Sequence, residues 1–431
     1  MKVLVIGGGG REHALVWKLR QSRLVSKIWC TPGNGGISQD AECIPTNAAA
    51  ELSALADLAE RLEADLTVVG PEQPLVDGIA DEFDRRHLRI VGPARSCAQL
   101  EGSKVFAKEF LNRHNIPTAR SHGVFDSSPN VARKLEGLNY PLVLKADGLC
   151  GGKGVLVAKS HTEAIEFANR VLGGREFGEG GRRLLLEEAL QGKELSFIVL
   201  SDGEQFLPLV PTRDHKRAFD GDFGPNTGGM GAYSCDGIIS LAMEEEICKR
   251  IVEPTLAALA RDGCVYSGFL YFGLMLTAAG PKVLEFNCRL GDPEAQAIVA
   301  RMNFDLGEVL SAVAEGKLKN QKLDWAPGAS VCVVMASGGY PGKYEAGKEI
   351  RGLDRAAEVP GVVVFHAGTH REGSIYYTSS GRVLGVTAAG PSLPIARRAA
   401  YDAVGRIEFS GCQYRRDIAL ADCRTANVGE D

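Results

Sequence analysis

The chain has 431 residues, 45% apolar and 24% charged, with a formal net charge of -5, which fits about three soluble domains and argues against nucleic acid as the main partner, since that needs a basic face. No run approaches the roughly 18 apolar residues of a membrane span, and residues 3–6 are too few for a signal-peptide core, with Glu12 following soon after. Eleven cysteines with no C-x-x-C pair indicate neither a disulfide framework nor a zinc site; free thiols in a reducing cytoplasm are the simplest account.

In chain order, apolar runs at 3–6, 28–30, 66–69 and 90–91 alternate with helical stretches. That is the βαβ rhythm of an open parallel sheet, whose ligands lie at the carboxyl ends of the strands. The loops there are 7–10, 31–36 and 70–74. A helix is predicted over 104–115, stopped by Ile116-Pro117. Residues 118–190 form a compact unit, with strands at 142–145, 155–158 and 184–186 and a helix from Thr162. A third stretch, 191–325, carries strands at 196–200, 268–276 and 283–289 and a long helix over 241–261. The tail from Pro327 carries strands at 331–335, 362–365 and 383–387. Its last helix starts at Ser392, with Pro394 in the first turn.

The opening stretch KVLVIGGGGREHAL is not a dinucleotide fingerprint. G-x-G-x-x-G requires a third glycine, and Glu12 or His13 stands there instead; the second strand ends in Cys-Thr-Pro without the acidic residue that binds ribose. A tight turn before a helix N-terminus remains, suited to phosphate, with a plain strand-to-helix turn as the alternative.

KADGLCGGKGV, residues 145–155, is not a Walker A loop: Gly148 and Lys153 stand one residue too close, and Gly154 replaces the required Ser or Thr. It joins two strands. A glycine hairpin of this kind folds over a triphosphate with its N–H groups, and Lys145 and Lys153 add charge; a merely flexible hairpin is the alternative. Further on, LLLEEALQGKE, residues 184–194, is a strand running into an acidic turn, whose backbone suits a purine ring and whose Glu194 suits ribose hydroxyls. VLEFNCRLGDPE, residues 283–294, places Glu285, Asn287 and Arg289 on one face of a strand and Leu284, Phe286 and Cys288 on the other. Glu and Asn are hard oxygen ligands for Mg²⁺, and Arg289 suits a bidentate clamp on a carboxylate. A half-solvated strand with an ion pair is the alternative.

These three motifs, in this order, resemble the ATP-grasp enzymes. PNTGGMGAYS (225–234), RLGDPE (289–294) and EGSK (101–104) resemble the glycinamide ribonucleotide synthetase family along the whole chain, in its monofunctional form. The resemblance implies an N-terminal α/β domain (1–102), an ATP-grasp domain (103–325, with a lid at about 118–190) and a small C-terminal α+β domain (327–431). It implies the reaction ATP + glycine + 5-phosphoribosylamine → glycinamide ribonucleotide + ADP + phosphate, through a glycyl phosphate, in purine biosynthesis. Glu285 and Asn287 would hold Mg²⁺ or Mn²⁺. Lys104, Lys145, Gly151, Gly152, Lys153 and Gly154 would bind ATP, with Glu187, Glu188 and Leu190 at adenine and Glu194 at ribose. Gly9, Gly10, Asn34 and Glu72 would receive the phosphoribosyl group. Asp214, Arg289 and Asp292 would position glycine and the amine. The strand 268–276 lacks the second acidic metal ligand of many ATP-grasp enzymes, so the number of ions stays open. The partners implied are small molecules, with neither nucleic acid nor membrane, and the assembly a monomer, with a dimer as the alternative. His215 reads as an ordinary loop histidine, Met230 as a packing anchor and Cys150 as an oxidisable thiol in the ATP loop. Three rivals are a bicarbonate-using carboxylase, a nucleotide sensor and a dehydrogenase. The first would lack the 225–234 motif, the second would lose Glu285, Asn287 or Arg289, and the third fails on the fingerprint.

Overall fold

The computed structural model describes residues 1–46, 51–151, 153–174 and 181–426. Five parallel strands, β1 (Lys2–Gly7), β2 (Lys27–Pro32), β3 (Glu42–Cys43), β4 (Leu66–Val69) and β5 (Ile90–Val91), lie in the order β3-β2-β1-β4-β5. Val3 and Val5 enter one buried cluster, Leu4 and Ile6 another. Burial on both faces is why the run is continuously apolar rather than alternating. The strand order reverses beside β1, so the glycine loop after it opens at the switch point of the sheet.

The predicted lid is a four-stranded antiparallel sheet: β6 (Ser121–Phe125), β7 (Leu142–Ala146), β8 (Val155–Ala158) and β9 (Leu184–Glu188), in the order β6-β9-β7-β8. Helices Ser128–Leu135 and His161–Leu172 back it, and Val131, Leu144, Phe167 and Leu186 close a core of its own. Sequence reading passed over β6, a short strand containing Gly123, and the helix at Ser128.

β10 (Lys193–Asp202) and β11 (Phe206–Pro208) follow, then the short β12 (Arg213–Asp214), β13 (Arg217–Phe219), β14 (Phe223–Asn226) and β15 (Gly231–Cys235), then β16 (Ser267–Thr277) and β17 (Gly280–Asn287). The central sheet runs β11-β10-β16-β17. The predicted strand at 283–289 starts earlier and ends at Asn287, so Arg289 lies beyond it. The helix predicted over 241–261 is continuous but has a π-helical turn at Cys248–Val252, ahead of Pro254.

The C-terminal part holds β18 (Ala329–Ala336), β19 (Glu349–Ile350), β20 (Val362–His366), β21 (Thr369–Glu372), β22 (Ile375–Thr378) and β23 (Arg382–Gly390). Its main sheet, β12-β15-β18-β23-β20, takes two strands from the middle of the chain. The helix Leu393–Val404 follows Ser392 with proline in its first turn, but it is not the last, because Leu420–Ala426 comes after it. Cys97 and Cys264 form a disulfide with Cα atoms 5.9 Å apart, correcting the expectation of free thiols throughout. The pair is 167 positions apart, so spacing along the chain gave no sign of it. Among the described residues no helix is long and apolar enough to cross a membrane.

Candidate active site

β17 pairs with β16 as Glu285 to Gly273 but Val283 to Leu274, so Leu284 is an extra, unpaired residue in a β-bulge. Val283, Phe286 and Cys288 are therefore the buried residues, and Leu284, expected among them, is only half-buried. The Leu284 carbonyl accepts a hydrogen bond from Lys145 Nζ at 2.8 Å. Glu285 and Asn287 keep the common face predicted for them. Lys216 Nζ lies 3.3 Å from Glu285 Oε1. Lys216, with Lys145 and Lys104 behind it, outweighs burial and holds the Glu285 carboxyl down at about 2. Asn287 Oδ1 accepts from Arg289 at 3.3 Å, which fixes its amide with the oxygen toward the guanidinium. An ionised carboxylate and an amide oxygen are a fitting partial donor set for a hard divalent cation completed by water and phosphate. Among the described residues no group of three or more His, Cys, Asp or Glu is placed to hold a metal.

The lid meets this strand through lysines. Lys145 Nζ stands 2.7 Å from Glu187 Oε2, and Lys108 pairs with the same carboxylate. Glu187 is 1% exposed. Burial would raise its pKa, but Lys145 and Lys108 outweigh it and hold the group ionised. Its side chain thus orders two lysines. Glu188 accepts from the Arg120 N–H, Leu190 is half-buried, and the exposed Glu194 lies 3.5 Å from Lys216. Lys104 Nζ donates to the Gly148 carbonyl at 2.8 Å. Ser103 caps the helix Lys104–Arg113 and donates to Asp147 Oδ1, which also accepts the Val105 N–H. Asp147 therefore pins the root of the glycine loop to the start of that helix. Gly151 and Lys153 are exposed; Gly154 is buried over Cys150, and Gly152 lies outside the described residues. Burial pushes the Cys150 thiol up, against the expectation of a reactive one.

Arg289 does not present a free fork. Its Nε lies 3.1 Å from Glu72 Oε2 and its NH2 2.7 Å from Glu101 Oε1. Asp214 ends β12, where burial, then Glu294, Glu194 and Glu285, push its carboxyl up to about 7 against the pull of Lys216. Glu294 is itself buried, accepting from Ser196 at 3.1 Å and Tyr271 at 3.0 Å. His215 is half-buried and accepts from the Ala419 N–H rather than standing exposed on a loop, and Met230 is fully buried, as a packing anchor would be.

A cavity of about 440 Å³ opens between the N-terminal and C-terminal parts, with Gly8, Gly9, Gly33, Asn34 and Asp292 on one side and Tyr340, Thr369, Ser380 and Arg382 among those opposite. Of the expected phosphoribosyl residues, Gly9 and Asn34 line it. Gly10 is buried, where a Cβ would stand 2.5 Å from Gln296 Nε2, and Glu72 pairs with Arg289. The glycine run has a packing cause. A Cβ at Gly8 would stand 2.5 Å from the Gly33 carbonyl oxygen, and at Gly7 2.5 Å from the Glu12 side chain. Glu12 itself accepts the Gly9 N–H. The Asn34 amide is taken up by the carbonyls of Gly8 (3.0 Å) and His366 (2.8 Å). Sequence reading missed Lys216, Lys108, Asp147, Arg382 and Tyr340. Only Lys216 carried a signal, its place in Arg-Asp-His-Lys beside Asp214.

A lid sheet and a central antiparallel sheet, joined by lysines around the ionised Glu285 and its neighbour Asn287 and preceded by an open parallel sheet, define the ATP-grasp class. The family models for phosphoribosylglycinamide synthetase match throughout: the N domain over residues 1–101, the ATP-grasp (A) domain over 102–295 and the C domain over 330–421. The chain belongs to the phosphoribosylglycinamide synthetase family. It is 48% identical over 419 residues to the phosphoribosylamine–glycine ligase of Caldanaerobacter subterraneus subsp. tengcongensis, covering 97% of this chain and 99% of that one. The crystal structure of phosphoribosylamine–glycine ligase from Thermotoga maritima superposes with a TM-score of 0.82 at 33% identity, covering 97% of this chain and 100% of that one. The biotin carboxylase domain of Hydrogenobacter thermophilus 2-oxoglutarate carboxylase, solved with MgADP and bicarbonate, shares the fold, with a TM-score of 0.70 at 19% identity, covering 96% and 91%.

Proposed function

We propose that this chain ligates glycine to 5-phosphoribosylamine at the expense of ATP, giving glycinamide ribonucleotide, ADP and phosphate. The carrying observation is that Glu285 is held ionised by Lys216, 3.3 Å away, on the strand whose Leu284 carbonyl receives Lys145 from the lid. ATP lies between the lid sheet and β17, its phosphates under the glycine loop. Glu285 and Asn287 would hold Mg²⁺ or Mn²⁺, which would supply charge neutralisation to the phosphates. The lysines add positive charge where the transferring phosphoryl oxygens gain negative charge.

Carboxylate oxygen is a poor leaving group, so glycine is activated first. A glycine oxygen attacks the γ-phosphorus, the bond to the β–γ bridging oxygen breaks, and ADP leaves. The ribosylamine nitrogen then attacks the glycyl carbonyl carbon, phosphate departs, and the nitrogen loses a proton. Asp214, Arg289 and Asp292 would position glycine and the incoming amine, with Arg289 acting from its pairs with Glu72 and Glu101. The lid keeps water from the acyl phosphate. Lys145 joins the lid to the bulge of β17, so lid position and phosphate binding are coupled through one side chain.

The test is phosphate release from ATP with each acid and each amine offered separately. Release requiring both glycine and phosphoribosylamine is expected. Release driven by bicarbonate in place of glycine would reject this reading.

A further inference from the structure

The disulfide between Cys97 and Cys264 lies at the joint between two domains. Cys97 belongs to the helix Arg95–Gly102, in the part matched by the N domain. Cys264 belongs to the connection ahead of β16, in the part matched by the ATP-grasp domain. The helix stands between two cores. Ala98 enters the cluster of the parallel sheet, with Leu4 and Ile6, while Cys97 and Leu100 enter that of the central sheet, with Phe197 and Phe272. Near the bond, Gly268 of β16 meets Gly92 backbone to backbone, where an added Cβ would stand 3.1 Å from the Gly92 Cα. The two domains touch closely here, and the bond makes that contact covalent.

The helix delivers Glu101, which stands one helical turn after Cys97 and on the same side. Glu101 is buried. Its Oε1 accepts from Arg289 NH2 at 2.7 Å and its Oε2 from the Cys288 N–H at 2.7 Å. The same Arg289 nitrogen donates to Asn287 Oδ1. A displacement of this helix therefore moves the carboxylate that aims Arg289 and, through it, the Asn287 amide.

Small thiols can reach the bond from one side. Cys97 is fully buried and Cys264 nearly so, but their neighbours Ser96, Gly263 and Val265 are exposed, Val265 at 64%. A glutathione thiolate arriving there attacks the Cys264 sulfur, the S–S bond breaks, and Cys97 leaves as a thiolate that takes up a proton. A second glutathione attacks the mixed disulfide and releases Cys264. Two glutathione thiols are oxidised to one glutathione disulfide, and the protein disulfide is reduced to two thiols.

Resting on the ligase reading above, we propose that the Cys97–Cys264 bond is a redox control of the Arg289 site: made, it holds Glu101 against Arg289; broken, it lets the helix shift and Arg289 lose its aim at glycine. Where thiol buffers keep most cysteines reduced, the disulfides that do form are mostly transient, catalytic or redox-sensing. A purely structural staple would stabilise the fold by constraining the unfolded chain and would leave the balance between substrates alone.

The test holds the full-length protein at set ratios of reduced to oxidised glutathione, traps thiols with an alkylating agent, and maps Cys97 and Cys264 by mass spectrometry. The pair should pass from alkylated to bonded as the oxidised share rises. The glycine KM should be about threefold or more higher in the reduced protein, with the ATP KM within about twofold. Cys264→Ser should behave as the reduced protein at every ratio. Glu101→Gln should raise the glycine KM and make it indifferent to the ratio, because two changes acting through one contact do not add. If Cys264→Ser destabilises the fold, the wild-type titration and Cys97→Ala give the same comparison. A pair that stays alkylated, or stays bonded, at every ratio overturns the proposal. So does a glycine KM that fails to rise on reduction, or an equal rise in the ATP KM. A ratio dependence that survives in Cys264→Ser overturns it too, tracing the effect to another thiol such as Cys150, and one that survives in Glu101→Gln removes the relay to Arg289. A protein that releases no phosphate with glycine and the amine at any ratio overturns the ligase reading instead; the alkylation map, which needs no turnover, separates that failure from a bond that does not respond.

Discussion

Lys216 Nζ stands between two carboxylates, 3.3 Å from Glu285 and 3.5 Å from Glu194. It joins the residue expected at the metal to the residue expected at the ribose. A divalent cation on Glu285 competes with that ammonium for the same oxygen. Glu285→Ala is expected to abolish glycine-dependent phosphate release with near-native circular dichroism. Lys216→Met should tighten Mn²⁺ binding in the absence of ATP while lowering turnover at least tenfold, as the loss of a charge on transferring phosphate predicts. Mn²⁺ titration by electron paramagnetic resonance checks the first part; normal turnover in Glu285→Ala would remove the metal assignment.

Glu187 of the lid holds together Lys145, also of the lid, and Lys108 of the helix Lys104–Arg113. Glu187→Gln leaves two buried cations without their carboxylate, at a cost of about 3–5 kcal/mol. The loss should be local, because the lid has its own core. Hydrogen exchange should accelerate in peptides from 118–190 more than in β10 and β16, and the KM for ATP should rise because Lys145 loses its orientation.

His366 links pH to the seam between the N-terminal and C-terminal parts. Burial, then repulsion by His13, lowers its pKa from the ordinary 6.5 to about 3, with Asp40 opposing. Its ring Nδ1 lies 3.0 Å from Thr369 Oγ1, and the backbone N–H of His366 donates to His13 Nδ1. A depressed folded-state pKa means the unfolded chain binds the proton first. The contribution to stability is therefore whole above about 6.5 and falls as pH drops toward about 3, by at most about 1.4 kcal/mol per pH unit. In urea titrations His366→Phe should flatten that slope; an unchanged slope would assign the acid sensitivity to other groups.

Gly8 meets the Gly33 carbonyl backbone to backbone, so no side-chain rotation relieves an added methyl. Gly8→Ala should lower stability by about 1–3 kcal/mol and weaken ribose 5-phosphate binding, since both loops border the cavity. A thermal melt together with an inhibition constant checks it. Unchanged stability would mean that the two loops separate freely.

The sequence by itself determined the strands of the N-terminal sheet and the shared face of Glu285 and Asn287, but neither β6 and the helix at Ser128 nor the charges of Lys216 and Lys108. Apolar runs ending in glycine marked β1, β2, β4 and β5, and the alternation Glu-x-Asn placed Glu285 and Asn287 on one face, because strand periodicity is local. Tertiary structure alone decided what those charges touch. The bulge at Leu284 depends on pairing with β16, and the pairing of Arg289 with Glu72 and Glu101 depends on three segments meeting. The side chain of Glu187 turned inward because two lysines from elsewhere in the lid and its flanking helix needed a counter-charge. The C-terminal sheet borrowed β12 and β15, and Arg382 reached Asp292 across 90 positions. Contacts of that kind leave no periodic trace in the chain, since each is set by how separately folded surfaces pack.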